Sequence, residues 1–339
     1  MHVAVDAHNL LTDRRGIGVA VRAILGQWIE HAACDLTLLV RHPLPMLRKP
    51  ALARELGSRA FAVASRVPRS ADVVWHPWNG TFFDAGDVPA VATIHDVAPF
   101  AFPDRDAGRR ESQQAPFRRT ARSARRIIAD SFVTKSEIER YLEVPPDRIT
   151  CVPLAADPRY TPGPADGIPD ATRGRPYLLY VGAIETRKNV DTLIAAWRTA
   201  FPACDVALVL VTTQAVPSDT IALHDVSVER LRDLYRGALA VVCPSIYEGF
   251  GLPALEALAC GAPAVVSRAS SLPEVCGDAA LYVEDPLDGE QWVAALRRIA
   301  ADAPLRARLQ TAGPQRAALF SWARTAQETR NALESVRND

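Results

Sequence analysis

Two glutamates, Glu248 and Glu256, stand eight positions apart in the stretch "CPSIYEGFGLPALEALACGAPAVVS", Cys243 to Ser267. Between them lie Gly249, Phe250, Gly251, Leu252 and Pro253. A carboxylate can accept paired hydrogen bonds from a diol, and glycines let backbone amides come close to an anion. The pattern predicts a buried strand ending near Ser245, then a turn, then a helix entered at Leu252-Pro253. Ligands of open α/β sheets sit just past such strand ends, and a helix N-terminus favours negative charge. Glu256 is expected in the first turn of the helix and Glu248 in the turn before it. Carboxylates for hydroxyls beside amides for phosphate suit a nucleotide sugar. Each glutamate taken singly reads as easily as a surface residue or a partner of the helix dipole. Only the whole array points to a ligand.

A second constellation is "VGAIETRKNVDTL". Gly182 closes a strand, and Arg187 and Lys188 precede Asn189, a helix N-cap by type. A guanidinium fork and an ammonium beside a helix start form a diphosphate clamp; two solvated loop charges are the plainer alternative. In "TIHDVAPF", His95 can bond a sugar hydroxyl or shuttle a proton, or His95-Asp96 is a capped strand end. Gly16 and Gly18, between the first strand and first helix, allow close approach to a ligand. Asp104-Arg-Asp106 has the form of a Mg²⁺ or Mn²⁺ diphosphate site. It opens the run Arg105–Arg126, with eight arginines against two acids. That run reads as a solvated helix face or as a patch for an anionic acceptor or membrane surface. Gly249-x-Gly251-x-x-Ala254 also fits a dinucleotide fingerprint, with Glu274 downstream. Ile246–Glu248 between strand and glycine, and Pro253 inside the motif, argue against a dehydrogenase.

The elements that must hold these residues alternate. Strands are predicted at 2–7, 36–40, 61–65, 72–75, 90–96 and 126–131, with a helix over 19–31. After the Pro- and Gly-rich stretch Pro158–Pro176 the alternation restarts: strands at 177–182, 206–212, 238–245 and 263–267, helices at 189–201 and 253–260, and a closing helix at 323–337. Strand–helix alternation on both sides of a linker predicts two doubly wound parallel sheets. A chain of 339 residues also exceeds one ordinary core. Zero formal net charge excludes a globally basic nucleic-acid protein. Six scattered cysteines without a C-x-x-C pair predict reduced, mostly buried thiols in a cytosolic protein. The N-terminus lacks the basic start and apolar run of a signal peptide.

"VGAIETRKNVDTL" and "PSIYEGFGLPALEALACGAPAVVSRASSLPEV" together resemble the donor half of family 4 retaining glycosyltransferases. "RRGIG", "TIHDVAPF", "ADSFVTKSEIERYLEVPPDRITCVPLAADPRY" and "FSWARTAQET" resemble the same family at matching places. The resemblance implies an α/β GT-B fold: two Rossmann-like doubly wound domains facing across a cleft. Residues 1–165 would form the acceptor-side domain, 166–322 the donor domain, and a helix over about 323–339 would pack back on the first. It implies that Arg187 and Lys188 hold the donor diphosphate, that Glu248 contacts sugar hydroxyls, and that Phe250, Gly251 and Leu252 offer amides. Glu256 would bind the ribose, His95 would reach the sugar, and the loop at Gly16 and Gly18 would close over the phosphate. Implied partners are a nucleotide-sugar donor, of which GDP-mannose is typical, and a glycan or lipid-linked acceptor of surface polysaccharide synthesis. No metal, other cofactor or nucleic acid is implied. The implied location is the cytoplasm, peripheral to the membrane through Arg105–Arg126. A nucleotide-sugar epimerase or an inactive sugar-nucleotide binder on the same fold remains an alternative. The segment "LVLVTTQAVPSDTIALHDVSVERLRDLYRGA" is short where the resemblance places the base, so the nucleotide is left open.

Overall fold

The computed structural model describes residues 1–166 and 168–337. Gly167 of the expected linker and the last two residues of the expected C-terminal segment lie outside the described residues. Contact density divides the chain into Met1–Leu154 with Ser321–Asp339, and Ala155–Phe320. The expected boundary lies at 165/166, inside the Pro- and Gly-rich stretch. The difference arises because the Pro-rich stretch is not a bare spacer: Tyr160 and Thr172 are buried, and Tyr160 meets Tyr235 edge-on at 5.6 Å.

The first unit contains β1 (His2–Asp6), α1 (Gly16–Glu30), β2 (Asp35–Leu39), α2 (Lys49–Leu56), β3 (Ala62–Ala64), β4 (Val73–His76) and β5 (Ala90–Ile94). It continues with α3 (Ala98–Ala101), α4 (Ala107–Ser123), β6 (Arg126–Ala129), α5 (Phe132–Leu142) and β7 (Ile149–Cys151). All pairings are parallel, in the order β3-β2-β1-β4-β5-β6-β7. β1 and β4 neighbour each other although α1, β2, α2 and β3 separate them in the chain, so the strand order reverses there. Strands such as "AVATI" are buried throughout because helices cover both faces. α5 starts where the Ser131 hydroxyl accepts the Thr134 N–H.

The second unit contains β8 (Tyr177–Val181), α6 (Val190–Ala200), β9 (Ala207–Val211), β10 (Ile221–Leu223), α7 (Val228–Gly237) and β11 (Ala240–Cys243). Next come α8 (Leu252–Ala259), β12 (Ala264–Ser267), α9 (Leu272–Cys276), β13 (Leu281–Val283), α10 (Gly289–Ala301) and α11 (Ala303–Ala317). The parallel order is β10-β9-β8-β11-β12-β13, reversing between β8 and β11. Trp197 and Trp292 anchor the core on the α6–α10 side. α12 (Trp322–Glu334) belongs to the first unit. Its Ala326 carbonyl accepts the Trp28 indole N–H at 3.0 Å, and its Thr325 hydroxyl donates to the Pro153 carbonyl at 2.7 Å.

Several expectations shift. Gly16 and Gly18 lie in the first turn of α1 and not in a loop. A Cβ on Gly18 would meet the Asp13 carbonyl oxygen at 2.0 Å, so that turn is closed over backbone. The cysteines are less buried than expected: Cys243, Cys260 and Cys276 are buried, Cys34 and Cys151 partly so, and Cys204 is exposed. No helix among the described residues is long and apolar enough to cross a membrane.

Candidate active site

β8 and β11 flank the reversal of the second sheet, and the loops leaving their carboxyl ends are the two that carry the predicted chemistry. Gly182 leaves β8 at φ +149°, with the Tyr180 hydroxyl 3.0 Å from where a Cβ would stand. A short 3₁₀ turn, Thr186–Lys188, then delivers the two cations. The Arg187 carbonyl accepts Ile246 N–H at 2.8 Å and Tyr247 N–H at 3.4 Å, so the two loops are stitched by backbone. Asn189 adds a second stitch. Its amide donates to the Pro286 carbonyl at 2.6 Å and to the Pro244 carbonyl at 3.2 Å. It is therefore not the side-chain cap expected from its type. It sits at φ 55° and makes no cap bond to a backbone N–H, and its side-chain oxygen accepts the Thr192 hydroxyl at 2.6 Å instead.

The charged groups meet across these loops. Lys188 Nζ lies 2.6 Å from both oxygens of Glu248, and the two side chains are only 15% and 13% exposed. The Ser245 hydroxyl donates to the same carboxylate at 2.7 Å. Arg187 pairs with Glu185 at 2.8 Å. The Glu248 backbone is pinned from below: Ser270 and Ser271 hydroxyls donate to its carbonyl at 2.6 and 3.0 Å, and Ser271 also reaches the Phe250 carbonyl at 2.8 Å. Past Gly249, the Phe250 ring is buried edge-on against Phe320 at 5.8 Å. Gly251 turns the chain at φ +103° into α8, with Leu252 and Pro253 as its first residues. A Cβ there would lie 2.8 Å from Leu272 Cδ2, so position 251 admits only glycine without displacement.

Glu256 lies beyond the first turn of α8, which holds no acid. The sequence expectation miscounted because the helix begins one residue before Pro253. Tyr235, fully buried on α7, donates to Glu256 Oε2 at 2.8 Å. Burial pushes the Glu256 carboxyl up to about 7, against the pull of that hydrogen bond.

In the first unit, His95 leaves the end of β5 and is buried. Its Nδ1 faces Asp130 at 2.6 Å, its Nε2 meets the Pro77 carbonyl at 2.9 Å, and its N–H donates to Asn79 at 2.6 Å. Burial alone would lower its pKa. The Asp130 carboxylate and the ring hydrogen bonds outweigh this and hold it above the ordinary value. Asp96 caps the next turn by accepting Ala98 N–H at 3.0 Å. At the reversal of this sheet, Asp6 ends β1 and His76 ends β4, both buried, with Oδ2 and Nδ1 3.6 Å apart. Asp104 and Asp106 have other work. Asp106 caps α4 through Arg109 N–H, and Asp104 pairs with the Arg109 side chain at 3.0 Å.

Two family models cover the chain: Glycosyltransferase Family 4 over residues 11–160, and Glycosyl transferases group 1 over 168–316. O-antigen chain mannosyltransferase B of Escherichia coli is 35% identical over 267 residues, covering 72% of this chain and 70% of that protein. The chain belongs to the family 4 glycosyltransferases. O-antigen chain mannosyltransferase RfbU of Salmonella typhimurium is 30% identical over 61% of this chain and 60% of its own length. Among solved structures, Anabaena HepE in complex with UDP-glucose superposes with a TM-score of 0.77 at 15% identity, covering 99% of this chain and all of that one. The fold of this glycosyltransferase is thus GT-B, built from two parallel-sheet Rossmann-like units.

Within the second unit of this glycosyltransferase, Gly182, Arg187, Lys188, Glu248, Gly249, Gly251 and Leu252 share the two loops at β8 and β11. Glu256 stands one turn further along α8. His95, Gly16 and Gly18 belong to the other unit. Sequence reading missed Asp130, Tyr235, Asn189's bridging amide, and the serines at 245, 270 and 271. All but Ser245, whose hydroxyl reaches Glu248 three residues on, act on a partner many residues away. Only "SS" in "RASSLPEV" offered a local sign, as two adjacent hydroxyls at a strand end.

Proposed function

We propose that this glycosyltransferase moves a hexose, mannose-like by preference, from a nucleoside diphosphate sugar to a hydroxyl of a glycan or lipid-linked saccharide, with retention. The observation that carries this reading is the contact of Lys188 with both oxygens of Glu248 at the strand-order reversal. A cation suited to a departing diphosphate and a carboxylate suited to sugar hydroxyls touch across the two loops. Arg187, Lys188 and the α8 N-terminus neutralise the leaving diphosphate, so the reading calls for no metal or other cofactor. Amides of the Gly249–Leu252 turn take sugar and phosphate oxygens, and Glu256 takes the ribose. The α1 N-terminus at Gly16 and Gly18 takes the part first given to a loop.

His95 is the sugar-facing residue by family likeness. With Nδ1 and Nε2 both bonded, its ring offers no lone pair to deprotonate an incoming hydroxyl. That supports a route in which the departing phosphate oxygen takes the acceptor's proton on the same face of the sugar. The preference for mannose rests on the names of the two O-antigen relatives, and a GDP donor is part of the same proposal.

A melting screen with UDP, GDP, dTDP and ADP sugars identifies the donor, because a ligand at a hundred times its Kd stabilises by about 2.7 kcal/mol. Proton NMR of the product made from a confirmed α-donor then reads the anomeric coupling. An α-linked product is expected. A β-linked product overturns retention and demands a general base.

A further inference from the structure

We infer that the turn following β2 is a membrane-docking surface that seats on an anionic lipid bilayer. Leu44, Met46 and Leu47 are 63%, 59% and 66% exposed. Single exposed apolar side chains are ordinary, but three large ones within four residues are not. The turn is held out stiffly. Pro43, Pro45 and Pro50 restrict its backbone, and the 3₁₀ turn Pro45–Arg48 runs directly into α2.

The charge around it has one sign. No Asp or Glu occurs between Asp35 and Glu55, while Arg41, Arg48 and Lys49 border the apolar residues. Glu55 itself is neutralised by Arg14 and, at 3.4 Å, by Arg22. Arg41 is held 5.4 Å over the Phe82 ring and Lys49 5.7 Å over Phe61, on either side of the apolar residues in the chain. Apolar side chains that enter the acyl boundary, with cations level with lipid phosphates, are the chemistry of an interfacial anchor. A saccharide has no use for two leucines and a methionine. A second copy would bring the same positive charge to the same place.

The Arg105–Arg126 run fits this role less well. Arg109 pairs with Asp104, Arg118 with Glu111, and Arg125 bonds the Val336 carbonyl. The large apolar side chains exposed beside it, Phe102 at 39% and Phe132 at 64%, stand thirty residues apart in the chain and not in one turn. The inference does not rest on the proposed transfer, since no residue of the donor site takes part.

The test is co-sedimentation of the full chain with phosphatidylcholine vesicles carrying about 30 mol% phosphatidylglycerol, beside pure phosphatidylcholine vesicles. Binding is expected to the anionic vesicles alone and should weaken as salt is added. Leu44→Ser/Met46→Ser/Leu47→Ser should lower the partition coefficient about tenfold or more, with melting temperature and donor hydrolysis unchanged. Arg48→Glu/Lys49→Glu should lower it as well, and Arg119→Glu/Arg122→Glu should not. Failure of the native chain to bind anionic vesicles overturns the inference. So does undiminished binding by the triple variant, or loss confined to Arg119→Glu/Arg122→Glu. A vesicle-free dimer by light scattering that the triple variant dissolves would make the patch a contact between copies, and that also overturns it.

Discussion

Lys188 and Glu248 neutralise each other before any donor arrives. If Lys188 takes the diphosphate as proposed, a free nucleoside diphosphate must compete with Glu248 for the ammonium. Glu248→Gln should tighten binding of the free nucleotide severalfold by calorimetry, while turnover falls about a hundredfold, as when one transition-state contact is lost. Unchanged or weaker nucleotide binding would show that the pair opens without cost. Lys188→Ala should also lower kcat by about a hundredfold, and EDTA should leave the native rate unchanged. Activity lost in EDTA and restored by Mn²⁺ would return Asp104 and Asp106 to the mechanism. Glu256 supplies a pH dependence. Its folded pKa, about 7, lies above that of a free glutamate, so the folded chain holds a proton that the unfolded chain releases. That contribution to stability is present at low pH and is lost as pH rises through 7. The proposed ribose role calls for the ionised form, and on that role nucleotide affinity should rise from pH 5.5 to 8 around that midpoint. Glu256→Gln should bind weakly at every pH, with a flat titration.

At the scale of elements, the alternation of strands and helices was legible because parallel strands covered on both faces read as unbroken apolar runs. β8, β9, β11 and β12 each carry four or five such residues, and their placement was off by a residue or two. The three-residue strands β7, β10 and β13 were missed, since so short a run has no period of its own. The site was legible where it is local: Arg187-Lys188 and the Glu248 turn are contiguous in sequence. It was illegible where it is not. Nothing near His95 announces Asp130, thirty-five residues on, and nothing near Glu256 announces Tyr235 on another helix. Gly251 shows how one element boundary fixes the site. Gly251→Ala would force a side chain into φ +103° against Leu272. We expect a loss of about 1–3 kcal/mol of stability, with donor binding lost in the variant that remains folded. Chemical denaturation and a nucleotide melting shift measure the two effects separately.

At the scale of the whole molecule, the first unit is assembled from both ends of the chain and the second from one continuous stretch. Calorimetry should therefore show two transitions, with nucleoside diphosphate raising only the one that belongs to Ala155–Phe320. A chain ending at Phe320 should keep that transition and lose the other, because buried Trp322, Ala326, Ala332 and Leu333 leave with α12. Survival of both transitions would make α12 an accessory. The same arrangement sets an order of events during synthesis. The second unit has all its residues once Phe320 has emerged from the ribosome. The first, although begun earlier, must wait for α12, with Trp28 unpartnered at its indole N–H until Ala326 arrives. Until α12 has emerged, the older part of the nascent chain is thus the part most exposed to chaperones and proteases, and a stop before Trp322 strands it there.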